Sequence, residues 1–101
     1  MPKLYEYFGL AVLFYSNDHE PIHVHGKYQG AECRAELVID NGEVVEIRYS
    51  PVRGRRMLEP AQLENFKALV GHYAEEIVQK WIAYFVLHRP VPAEKITRKI
   101  R

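Results

Sequence analysis

Two periods divide the chain. Apolar and polar residues alternate through the first half, and apolar residues recur at three- and four-residue steps through much of the second. Residues 9–16, GLAVLFYS, are apolar or aromatic on both alternating faces, the pattern of an inner strand. NDHEP follows with turn chemistry: Asn and Asp hydrogen-bond nearby backbone, and Pro21 lacks an N–H. IHVHGKY (22–28) then alternates strictly, placing Ile22, Val24 and Tyr28 on one face and His23, His25 and Lys27 on the other.

AECRAELVID and EVVEIRYS flank Asn41-Gly42, a hairpin signal. A two-residue turn would set Leu37 opposite Glu46 and Ala35 opposite Arg48. A three-residue loop with Gly42 left-handed sets Leu37 opposite Val45 and Ala35 opposite Ile47. It keeps apolar residues together and is the expected register. SPVRGRRMLE has no period and reads as a connector. From Pro60 onward Leu63, Phe66, Val70, Tyr73, Ile77, Trp81 and Tyr84 form one helical stripe, bent near Gly71 and ended by His88-Arg89-Pro90. The expected architecture is α+β: a small antiparallel sheet of about four strands packed against a long C-terminal amphipathic helix. Its parts are a β-meander over 1–50, an Arg-rich connector over 51–59, a helix over 60–88 and a basic tail over 89–101.

At 101 residues there is room for one domain core. Apolar residues at 48% and charged residues at 27% are ordinary for a globular chain, which excludes a disordered one. Fourteen basic against thirteen acidic residues leave +1, so any nucleic-acid affinity must come from a local patch. The lone Cys33 cannot form an intrachain disulfide, and FGLAVLFY is too short to span a bilayer. A cytoplasmic protein with no membrane partner is expected.

The candidate chemistry sits in residues 17–26, NDHEPIHVHG, with three of the five histidines. His23 and His25 lie two apart, on one strand face roughly 6.6 Å apart along the backbone. His19 is placed to add a third ligand from the turn, and Asp18 a ligand or an orienting hydrogen bond, for zinc or another divalent metal. Two other readings stand beside this one: metal-free acid/base chemistry, and histidines that only hydrogen-bond the turn or pack beside aromatics. Arg53, Arg55 and Arg56 are the second candidate, for phosphates or a partner's carboxylates, with Arg98, Lys99 and Arg101 extending the patch. A solvated loop is the plainer account.

The run MPKLYEYFGLAVLFY, then NDHEPIHVH with KYQGAECRAEL, and later SPVRGRR, EEIVQKW and PAEKI, resembles the small bacterial family called domain of unknown function 4160. The specific part is D-H-x-P-x-H-x-H, borne by Asp18, His19, Pro21, His23 and His25. Ile22 replaces a second proline usual in the family, Val24 a common aromatic, and His72 or Tyr73 an extra helix tryptophan. The resemblance implies one half of a toxin–antitoxin-like two-gene module, hence a small protein partner, and carries over no catalytic residue. The expectation is a binding or interaction module with a His/Asp polar site. The alternatives are a phosphodiesterase or ribonuclease-like enzyme using those histidines with the arginines, or a structural signature in an assembly domain or homo-oligomer.

Overall fold

The computed structural model describes residues 2–100. Six strands form one sheet: β1 (Lys3–Tyr7), β2 (Leu10–Leu13), β3 (His23–Tyr28), β4 (Ala31–Asp40), β5 (Glu43–Pro51) and β6 (Glu94–Ile96). Their spatial order is β5-β4-β3-β2-β1-β6, antiparallel throughout except for the parallel pair of β1 and β6. Two helices follow the hairpin, α1 (Pro60–His72) and α2 (Ala74–Trp81), and α2 runs on into a π-helical turn at Ile82–Val86.

This corrects the expected four-strand sheet under one long helix. Tyr73 leaves the helical backbone at φ −105°, ψ 18°, which divides the predicted 60–88 helix into two short ones. Gly71, with its poor helix propensity, stands two residues before the break. Beyond it the Tyr73 ring stacks on Tyr5 at 4.8 Å, and the Tyr5 hydroxyl donates to Glu76 Oε1. The tail also supplies a strand. β6 is held to β1 by backbone pairing of Glu94, Lys95 and Ile96 with Tyr5, Glu6 and Tyr7, so it needs no apolar period.

The hairpin register is corrected as well. Asn41 (φ 51°) and Gly42 (φ 79°) both take left-handed backbone and Asp40 pairs with Glu43, which makes a two-residue turn. The register then slips by one between Ile39↔Val44 and Val38↔Glu46, leaving Val45 as the extra residue of a bulge. Leu37 therefore faces Ile47, and Ala35 faces Tyr49. Apolar pairing is achieved, by a bulge inside the strand rather than by a longer loop.

One sheet face carries the core. Val12, Val24, Cys33, Ala35 and Leu37 are buried with Phe66, Leu69, Val70, Ile77 and Trp81 from the helices. Gly26 lets the Phe66 ring lie on β3, for a Cβ there would stand 2.6 Å from it. The opposite face is read from the register, since directly paired residues share a face. One row across it is Leu13, His25, Arg34 and Ser50, and a neighbouring row is Ala11, Lys27 and Glu32. The polar face is where the histidines emerge.

Candidate metal centre

Asp18 is brought to β3 by its own loop. Its backbone N–H donates to Tyr15 O at 3.0 Å, and its Oδ2 accepts from the Tyr15 N–H at 2.8 Å, a local turn built by a short acidic side chain. The carboxylate then faces two imidazoles. His23 Nε2 lies 3.3 Å from Oδ1, and His25 Nε2 lies 3.5 Å from Oδ2. One donor atom from each of the three residues falls within 4.8 Å of the others.

The other nitrogen of each ring decides what these contacts mean. His23 Nδ1 is 2.7 Å from Pro21 O, and a carbonyl only accepts, so Nδ1 carries the proton. In a neutral ring, Nε2 then points a lone pair at the carboxylate. His25 lies between two carboxylates, with Nδ1 3.1 Å from Glu32 Oε2 and Nε2 beside Asp18. Neither contact is aligned as a hydrogen bond, and both ring nitrogens are buried without a partner among the described residues. Burial pushes the His25 pKa down, opposed by the pull of Asp18 and Glu32. A neutral His25 has one N–H for two carboxylates. A cation held between the rings and Asp18 would remove the conflict at both histidines.

The surroundings hold this arrangement still. Tyr15 donates its hydroxyl to Glu32 Oε2 at 2.9 Å and sets its ring edge-on to His25 at 4.5 Å. Burial, and then the Glu32 hydrogen bond, push the Tyr15 pKa up to about 12. Trp81 stands 5.5 Å from the His23 ring, an inner wall supplied by α2. Outward, a cleft of about 550 Å³ opens between the 17–21 loop, β3, β4 and the connector.

The structure brings Asp18, His23 and His25 together. His19 is exposed on the cleft wall and lies outside that group. The three connector arginines have separate surroundings. Arg53 lines the cleft, Arg55 Nε lies 3.7 Å from Glu32 Oε1, and Arg56 binds Glu59 Oε1 and Gln29 O. In the tail, Lys99 donates to Asn65, while Arg101 lies outside the described residues. Sequence reasoning missed Glu32 and Arg34. Both were legible once β4 was paired with β3, because Glu32 and Arg34 then share the histidine face.

Fold and site together define a small sheet-and-helix domain with a buried carboxylate–imidazole cluster open to a cleft. The family model described as Domain of unknown function (DUF4160) matches residues 9–82, and the chain belongs to that family. Among curated proteins and among solved structures, no match was found. The matched segment contains Asp18, His23, His25 and Glu32, whereas β1 and β6 lie outside it. No helix of the described residues is long and apolar enough to cross a membrane.

Proposed function

We propose that this domain binds one divalent transition-metal ion, with Asp18, His23 and His25 as its protein ligands. The observation that carries the reading is the convergence of their donor atoms within 4.8 Å while each ring's second nitrogen faces an oxygen acceptor. Ligands at ~2.0–2.1 Å from a tetrahedral zinc ion stand ~3.3–3.4 Å from one another. The His23 and His25 Nε2 atoms lie 3.3 Å from Oδ1 and 3.5 Å from Oδ2 of Asp18, near that spacing but on different carboxylate oxygens, and the single-atom set, lying within 4.8 Å, would tighten around an ion. An Nδ1–H held by a backbone carbonyl, or facing a carboxylate, is the usual support of a metal-bound imidazole. Two nitrogens and one oxygen suit zinc first, and suit iron(II) or another imidazole-binding ion next.

Three protein ligands leave a coordination position for the cleft. That supports a second reading, hydrolysis of a phosphodiester by water activated on the ion. Asp18 also ties its own loop, which is the role a purely structural signature assigns to it.

Calorimetric titration of metal-stripped protein with zinc tests the first reading. One ion per chain is expected in the wild type, with binding abolished in the His23→Ala/His25→Ala double variant. A wild type that takes up no ion, or a double variant that takes up as much, leaves the structural role standing. Turnover of bis(4-nitrophenyl) phosphate by the zinc-loaded wild type, absent in the double variant, would establish the hydrolytic reading; no turnover retires it.

A further inference from the structure

We propose that the cleft beside the metal centre is a phosphoryl-binding site, with Arg34 and Arg53 as its cationic wall. The inference rests on the metal reading for one of its two attractions, and on the arginines for the other.

Arg34 stands directly opposite His25 across β3 and β4, so both side chains rise from one face with Cβ atoms ~4.5–5.5 Å apart. Arg34 is half-buried and lines the same cleft as Asp18, His23 and His25. Its Nε is buried without a hydrogen-bond partner among the described residues. No ion pair of the described residues involves Arg34 or Arg53, whereas Arg48, Arg55 and Arg56 each have a glutamate. A guanidinium partly withdrawn from water and left unpaired is costly, and an anion in the cleft supplies the missing acceptor.

Charge and shape select the anion. A divalent ion with Arg34 and Arg53, set against Asp18 and Glu20, and with Glu32 offset by Arg55, leaves the loaded cleft positive. A phosphate dianion answers that charge more fully than a carboxylate does. The planar guanidinium fork also matches phosphate oxygens two at a time. A volume of about 550 Å³ exceeds one phosphate group and leaves room for a small-molecule body attached to it.

The test is calorimetric titration of the full chain, zinc-loaded and metal-stripped, with inorganic phosphate, a nucleoside 5′-monophosphate and acetate. Phosphate is expected to bind the zinc-loaded wild type, with affinity falling at least ~10-fold in Arg34→Met and in Arg53→Ala. The second change lies on the exposed connector, so it tests the wall without touching the sheet. Zinc affinity measured on the same variants should hold or rise, because a nearby positive charge is removed. Tighter binding of the monophosphate assigns a nucleotide-like source, and equal binding assigns free phosphate. Phosphate binding that ignores both arginines, or acetate binding as tightly, overturns the proposal. If the wild type takes up no zinc, the metal reading fails separately. Arginine-dependent phosphate binding to the metal-free chain then still supports the anion site, and no binding overturns it.

Discussion

At the residue scale, the informative groups are those that touch the proposed ligands Asp18, His23 and His25 without belonging to the set. Glu32 is 2% exposed, beside His25 Nδ1 and under the Tyr15 hydroxyl. Glu32→Gln keeps the shape and removes the charge that orients His25, so zinc affinity should fall ~10–100-fold with little change in fold. Calorimetry beside far-ultraviolet circular dichroism reads both, and an unchanged affinity would detach Glu32 from the site. Tyr15 and Tyr49 give a pH prediction. Burial is the main cause that pushes each phenol up from 10.0 to about 12. A group whose folded pKa lies above its unfolded value stabilises the fold while protonated. That contribution is complete below ~10 and is lost as pH rises through ~12. The 295 nm titration of the wild type minus that of Tyr15→Phe or Tyr49→Phe should place each missing ionisation near pH 12; a difference appearing near pH 10 contradicts it. Gly26 gives the packing test. Gly26→Ala drives a Cβ into the buried Phe66 ring, so destabilisation of ~1–3 kcal/mol is expected from denaturant titration.

At the element scale, the hairpin shows how a local turn and a global packing demand are reconciled. Asn41-Gly42 dictates a two-residue turn, and that turn alone sets Leu37 against a glutamate. The bulge at Val45 restores Leu37 to Ile47, and Val45 itself remains 58% exposed. Deleting Val45 should leave the same partners in a regular ladder, with stability changed by less than ~1 kcal/mol, since little buried area is lost. Cross-strand nuclear Overhauser contacts between Leu37 and Ile47 check the pairing. Their replacement by contacts between Leu37 and Glu46 would mean that the bulge is not what sets the register. The helix break has the same character. The apolar stripe runs through Tyr73 without interruption in sequence, and the packing of that ring on Tyr5, 68 residues away in the fold's first strand, accompanies the change of path.

At the scale of the whole molecule, the two chain ends close one side of the sheet. β6 pairs with β1, Glu94 meets Lys80, and the Ile100 N–H donates to the Tyr7 hydroxyl. Truncation after Ala93 should therefore lower stability by about 1–3 kcal/mol, the size of a damaging core substitution. Zinc uptake should persist in the truncated protein, because Asp18, His23 and His25 stand at the β3 side of the sheet. Thermal unfolding and metal titration of the truncated chain read the two effects apart. Loss of zinc uptake in a chain that remains folded would show that the site depends on the far edge.

Local pattern determined a good deal unaided. Strict alternation placed His23 and His25 on one face, turn chemistry placed Asp18 ahead of them, and Asn-Gly marked the hairpin. Each of these rests on interactions within a few residues, which is the range over which a chain's pattern speaks directly. The tertiary structure decided the rest. Asp18 faces both rings while His19 lines the cleft outside that group, Glu32 and Arg34 reach the site from the next strand, and Arg53 parts from Arg55 and Arg56. β6 and the break at Tyr73 belong here too, for they arise from backbone pairing and ring packing between distant segments. Such contacts depend on which strands become neighbours and in what register. A one-residue slip sends every side chain to the other face, so register is settled only when the whole core is assembled.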